Sequence, residues 1–160
     1  MIHIRAAGAS DARAIAELLQ EVVDAGGTTA ITGEVTREDI LAKMSISPRA
    51  AWHVAEDEAG ELLGFQWIDP MVDEPKTCAE IATFARRGKT GLGIGSKLFE
   101  ATLKAAKRLD YRWIRANIRA DNTGGLAYYQ SRGFEDYGRI EGYRMADGTV
   151  VDKVLKRFDL

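Results

Sequence analysis

Along the chain, short apolar runs with a period of two give way to longer stretches in which apolar residues recur every three or four positions. Ile2-His3-Ile4-Arg5 is short and alternating and predicts a first strand. Ser10-Asp11 then offers an N-cap, and Ala14, Ile15, Leu18, Leu19, Val22 and Val23 follow at helical spacing. That first helix reaches about Asp24 and ends at Gly26-Gly27. Thr28 to Val35 is small and polar, a loop expected on the working face. Thr36-Arg37-Glu38-Asp39 resembles a capping box and predicts a short second helix, with Ile40, Leu41 and Met44 as its buried stripe and Pro48 as its stop.

Ala51 to Ala55 and Leu62 to Ile68 predict an antiparallel hairpin whose acidic tip is Glu56 to Glu61. Asp69-Pro70 and Asp73-Glu74-Pro75 punctuate the next loop. A fourth strand is expected from about Lys76 to Ala85, followed by a glycine-rich stretch and an amphipathic third helix, Leu98 to Leu109. Trp113 to Ile118 predicts a fifth strand. Asn122 to Arg132 predicts a fourth helix closed by Gly133, and Phe134 to Ile140 and Val150 to Phe158 predict two last strands, with Asp147-Gly148 in the turn. The order β-α-α-β-β-β-α-β-α-β-β contains no repeat, linker or low-complexity tract. It predicts one α/β domain over residues 1–160, with a mixed, mostly antiparallel seven-stranded sheet flanked by four helices. A crossover through the third helix makes strands four and five parallel.

Composition narrows the function. A net charge of −2 leaves no overall basic field, so nucleic acid is not an expected partner and an anion site must be made locally. Cys78 is the single cysteine, which rules out an internal disulfide and suits a reducing compartment. His3 and His53 are the only histidines, so no cluster has zinc-site spacing and no metal is expected. Arg5, Asp11, Arg13 and Glu17 break any signal-peptide hydrophobic region, and no apolar run approaches membrane-spanning length. A soluble, cytoplasmic protein is expected, with no membrane partner.

The glycine-rich stretch runs from Arg86 to Lys97. Strand, glycine loop and helix in that order can bind a phosphate: loop N–H groups converge on the anion, and the helix N-terminus adds partial positive charge. Two nucleotide loops fail on position. A Walker A loop would end in Gly88-Lys89-Thr90, but Thr83 stands where its first glycine belongs. A dinucleotide fingerprint beginning Gly91-x-Gly93 would need a third glycine where Ser96 stands.

The remaining reading combines Gly91-x-Gly93-x-Gly95-Ser96-x-Leu98 with a second motif, Asn122-Thr123-Gly124-Gly125-Leu126-Ala127-Tyr128-Tyr129-Gln130-Ser131-Arg132-Gly133-Phe134. With these two motifs in order, the chain resembles the GCN5-related N-acetyltransferase (GNAT) family over essentially its whole length. Within the family it is most similar to the phosphinothricin-type acetyltransferases. The resemblance implies the GNAT, or acyl-CoA N-acyltransferase, fold. It also implies acetyl-coenzyme A (acetyl-CoA) as cofactor, its pyrophosphate held by the backbone of Gly88, Lys89, Thr90, Gly91, Leu92, Gly93, Ile94 and Gly95, with Ser96 following. Thr90 departs from the family, which usually has Gln or Arg there. Arg86, Arg87, Lys89 and Lys97 are available to add charge.

Acetyl transfer to an amine must remove a proton from an ammonium, polarise a thioester carbonyl and receive a thiolate. The family's catalytic glutamate falls on Glu80, which on an extended strand shares a face with Ala82 and Phe84. Glu34, in the loop before the second helix, is the alternative carboxylate and a candidate for the substrate side. The family polarises the carbonyl with a strand-four backbone N–H, within Phe84, Ala85 and Arg86. Its acid falls on Tyr129, although phosphinothricin-type members often carry histidine there; Tyr128 is expected to point elsewhere. Asn122 is expected to cap the fourth helix in its own right; the resemblance adds a contact to the pantetheine arm. Cys78 is expected to be a bystander, and Trp52, Trp67 and Trp113 to serve a core or an interface.

The acceptor implied is the primary amine of a small molecule, an amino acid or phosphinothricin-like compound. A protein or peptide N-terminus stays open, as does a non-catalytic acyl-CoA-binding regulatory module. A homodimer is the family-level expectation.

Overall fold

The computed structural model describes residues 1–86, 88 and 93–160. Its elements are β1 (His3–Ala6), a 3-10 turn (Ala9–Asp11), α1 (Ala12–Ala25), α2 (Arg37–Met44), β2 (Ala51–Glu56), β3 (Leu62–Pro70) and β4 (Cys78–Ala85). They continue as α3 (Ile94–Arg108), β5 (Trp113–Arg119), α4 (Thr123–Ser131), β6 (Glu135–Arg144) and β7 (Val150–Asp159). The seven strands form one sheet in the order β1-β2-β3-β4-β5-β7-β6. Every neighbouring pair is antiparallel except β4 with β5. This is the architecture expected from the periodicity.

Side-chain alternation divides the strands between two faces. Trp52, Val54, Phe65 and Trp67 point to one face, where Ile15, Leu18, Leu19 and Ile40 of α1 and α2 bury against them. The rings of Trp52 and Trp67 stack with centroids 4.3 Å apart, so these two tryptophans are core, as expected. Ile81, Ile114, Ala116 and Ile118 point to the other face, against Phe99 of α3 and Tyr129 of α4. Each fully buried aliphatic or aromatic side chain stabilises the fold by about 1.5–3 kcal/mol.

Local chemistry sets the ends of the helices. Thr36 Oγ1 accepts from the Asp39 N–H at 3.1 Å and Asp39 Oδ2 accepts from the Thr36 N–H at 2.9 Å, the reciprocal box that starts α2. Asp11 does not cap α1 with its side chain. The 3-10 turn runs directly into the helix, and its carboxylate instead accepts from both terminal nitrogens of Arg5 (2.9 and 2.8 Å) and from the Gly8 N–H. That pairing fixes the start of α1 to β1. The third helix begins four positions before Leu98, at Ile94. Among the described residues no helix is long and apolar enough to cross a membrane.

Candidate active site

β4 and β5 pair only from Cys78 and Trp113 to Ile81 and Ala116. Beyond that point β4 continues to Ala85 along β3, and β5 continues to Arg119 along β7. The parallel pair therefore opens into a fissure, one edge of which is β4 backbone. The Arg86 N–H donates to the Leu63 carbonyl at 2.8 Å, which fixes the alternation: Phe84 and Arg86 face β3, and Thr83 and Ala85 turn their N–H groups to the fissure. Of the three expected backbone donors, Ala85 is the one that faces the opening.

A buried polar network underlies this edge. Gln66, in the middle of β3, is fully buried. Its Oε1 accepts a hydrogen bond from Thr102 of α3, and its Nε2 donates to Thr83 Oγ1 at 2.9 Å and to Tyr128 Oη at 3.1 Å. Thr83 Oγ1 lies 2.7 Å from Tyr129 Oη. Because Thr83 already accepts from Gln66, its hydroxyl hydrogen is free to be given to Tyr129, which leaves the Tyr129 hydrogen free for another acceptor. Burial pushes the Tyr129 phenol above the usual tyrosine range, so it stays protonated, as an acid must. Tyr128, expected to point elsewhere, instead joins the same network: its Oη accepts from Gln66 and donates to the Gly95 carbonyl at 2.7 Å.

Glu80 occupies the last position but one before β4 and β5 part. Both carboxylate oxygens are held by Arg115, its register partner on β5, with Nε to Oε2 at 2.6 Å and Nη2 to Oε1 at 3.1 Å. The pair is half-buried, with side-chain exposures of 18% for Arg115 and 28% for Glu80. Burial opposes the Arg115 charge, but the hydrogen bonds and field of Glu80 outweigh it and hold the guanidinium's proton above its ordinary range. On the other side Glu80 is opposite Asp69 of β3. Burial, and secondarily the Glu80 charge, pushes the Asp69 carboxyl up to about 6. Cys78 is fully buried below this cluster and its thiol is pushed up to about 12, chiefly by burial, so it stays the inert bystander expected.

At the far end of β4, Gly88 and Gly93 adopt φ of +81° and +75°. Gly93 is the N-cap of α3 and, among the described residues, no side chain caps this helix, so its first N–H groups can serve an anion. Gly95 is required for packing: a Cβ there would fall 2.5 Å from the Tyr128 ring. Ser96 Oγ accepts from Arg132 Nη1 at 2.8 Å, which places a cation beside the helix start. Arg86 turns away, donating to the Leu62 carbonyl at 3.0 Å and to Glu21 at 3.1 Å. The expected grip residues Lys89, Thr90, Gly91 and Leu92, together with Arg87, lie outside the described residues.

The loop after α1 closes the other side. Asn122 caps α4 by accepting from the Gly125 N–H at 3.0 Å, and its amide donates to the Thr28 carbonyl at 3.1 Å. Arg119 donates to the Thr29 carbonyl at 3.0 Å while pairing with Asp121. The loop and the β6–β7 turn line an open cavity of about 730 Å³ together with Asp24, Thr32, Glu34, Arg119 and Asp147; its lining does not include Glu80, Asp69 or Tyr129. Glu34 therefore lines this cavity, and the residues that bring Glu80 its partners are on other strands.

The residues present suit acetyl-CoA. The fissure offers outward N–H groups to an amide-bearing arm, and the buried Asn117 Oδ1 beside it has no hydrogen-bond partner among the described residues. The uncapped start of α3 suits a pyrophosphate. The Acetyltransferase (GNAT) family model matches residues 15–134. The chain belongs to the GNAT family. That membership places it among acetyl-CoA-dependent acetyltransferases. Among curated GNAT relatives it is 28% identical over 158 residues to "Putative phosphinothricin acetyltransferase YwnH" of Bacillus subtilis (strain 168), covering 96% of this chain and 97% of that one. A crystal structure of "a putative phosphinothricin N-acetyltransferase" superposes with a TM-score of 0.87 at 26% identity, covering 100% and 99% of the two chains. The fold also matches a Sinorhizobium meliloti phosphinothricin acetyltransferase solved with acetyl-CoA, with a TM-score of 0.85 at 24% identity over 99% of this chain and 88% of that one.

Four residues of the site escaped the sequence motifs: Asp69, Thr83, Gln66 and Arg115. A glutamine inside the apolar run Leu62 to Ile68 was a visible signal, since such a side chain needs partners when buried. The other three become informative only through strand register.

Proposed function

We propose that this chain transfers the acetyl group of acetyl-CoA to the primary amine of a small molecule, amino-acid or phosphinothricin-like, by direct attack. The observation that carries the reading is Glu80, a carboxylate placed at the point where β4 and β5 separate. There it assists removal of the ammonium proton. When bound, acetyl-CoA supplies an activated acyl group on a thiolate leaving group. The Ala85 N–H stabilises negative charge on the carbonyl oxygen, and Tyr129 supplies a hydrogen bond or proton to sulfur. The small acceptor is supported by the likeness to "Putative phosphinothricin acetyltransferase YwnH", 28% identical over 158 residues.

Thiol release from acetyl-CoA, followed with amino acids and other small amines beside peptides with free N-termini, tests this reading. The expected result is turnover well above hydrolysis with at least one small amine. Preference for peptide N-termini would move the acceptor class, and hydrolysis alone with tight cofactor binding would favour a non-catalytic module.

A further inference from the structure

Resting on that reading, we propose that Asp69 is the group that takes the proton from the acceptor's ammonium, while Glu80 stays paired with Arg115. The two carboxylates face each other across β3 and β4 on the same side of the sheet, as the register Asp69 to Glu80 requires. Each Glu80 oxygen is engaged by the guanidinium, so a proton placed on Glu80 would disrupt a bidentate, charge-assisted pair. Among the described residues no corresponding ion pair holds Asp69. β2 pairs with β3 only as far as Ile68, so Asp69 lies just past the end of that pairing, half-buried and open on one side.

The surrounding charges agree with a proton acceptor. Glu80 of β4 disfavours the ionised Asp69, whereas Lys43 of α2 and the Trp67 indole favour it; burial is the largest influence, and together they put the carboxyl at about 6. Tyr111, before β5, is a further titratable neighbour, with Arg49 over its ring, and is itself pushed up to about 12, mainly by burial, so it stays neutral. A carboxylate in this state is ionised at neutral pH yet far more basic than an exposed one. Glu80 contributes by holding the ammonium and by raising the proton affinity of Asp69.

The step balances. An N–H bond of the ammonium breaks and its proton passes through water to an Asp69 oxygen, since Asp69 lies opposite Glu80, five strand positions from Ala85. The freed nitrogen pair forms the C–N bond at the thioester carbonyl carbon, and the C–S bond breaks with its pair going to sulfur. A second N–H proton leaves to satisfy the thiolate, and Asp69 returns its proton to solvent. Amide, coenzyme A thiol and one released proton are the products.

The test is the pH profile of kcat/KM for acetyl transfer to a turned-over amine at saturating acetyl-CoA, in the wild type, Asp69→Asn and Glu80→Gln. A carbon-13 NMR titration of the aspartate carboxyls accompanies it in each protein. The wild type should show a rising limb with midpoint near 6, matched by the Asp69 carboxyl resonance. Glu80→Gln should move both midpoints to lower pH. Asp69→Asn should abolish the limb and reduce kcat about 10²-fold with acetyl-CoA affinity changed less than about twofold. An Asp69 carboxyl that titrates in the ordinary aspartate range, or an Asp69→Asn enzyme with the wild-type limb and rate, overturns the assignment while leaving the acetyltransferase reading standing. Failure of the wild type to acetylate any amine overturns that reading and the role of Asp69 with it.

Discussion

Tyr129 Oη lies 2.7 Å from Thr83 Oγ1, so the hydroxyl expected to serve the leaving thiolate is held by the strand that forms one edge of the fissure. Either hydroxyl can donate in that hydrogen bond, and Gln66 bears on which one does. Gln66 donates to Thr83 at 2.9 Å, so Thr83 can donate to Tyr129 and leave the phenol's hydrogen free. Thr83→Val should remove this relay and leave Gln66 with an unpaired buried N–H. The expected cost is about 1–2 kcal/mol of stability and about tenfold in kcat, with the acetyl-CoA Michaelis constant nearly unchanged. Thr83→Ser should restore most of both. Tyr129→Phe should lose only tens of fold, because the coenzyme A thiolate is already a fair leaving group. Steady-state kinetics and thermal melts on the folded variants check all three.

Gly93 tests the anion site through charge alone. With φ at +75°, the position favours glycine but also accepts Asn and Asp better than other residues. Gly93→Asn and Gly93→Asp should therefore fold with similar stability. Their acetyl-CoA affinities should differ: Asn should weaken binding by a few fold and Asp by about a hundredfold, because its carboxylate would meet the pyrophosphate at the start of α3. Calorimetric binding of acetyl-CoA to each variant gives the comparison. Equal affinities would remove the pyrophosphate from this helix end.

Asp69 also leaves a mark on stability. Its carboxyl is raised to about 6 in the folded protein, above its ordinary value of 3.8, so the folded chain binds more protons than the unfolded chain between those values. Stability is therefore highest below that window and falls as pH rises through it. Asp69→Asn should raise the unfolding free energy at pH 7.5 by about 1–2 kcal/mol, allowing for the part of the carboxyl that meets water, and should gain almost nothing near pH 4. Urea denaturation at the two pH values measures the difference.

The fold was legible because its signals are local. The Thr36–Asp39 box, the period-two runs and the left-handed Gly133 at φ +102° each act within a few residues. The two motifs that carry the family resemblance likewise lie in continuous segments. Asp11 shows the limit: its capping role was reasonable from sequence, but Arg5, on another element, takes its carboxylate. The same limit hid the pairing of Glu80 with Arg115, 35 positions apart, and the facing of Glu80 and Asp69 across two strands. Thr83 and Gln66 gain meaning only once β3 and β4 are aligned and α4 is laid against them.

Amide hydrogen exchange along β4, with and without acetyl-CoA, measures the central claim most directly. Phe84 and Arg86 point their N–H groups to β3 and should be protected in both states. Thr83 and Ala85 point theirs into the fissure and should become protected only when acetyl-CoA is bound. Exchange at Thr83 and Ala85 that is unchanged by saturating acetyl-CoA would contradict the placement of the cofactor between β4 and β5.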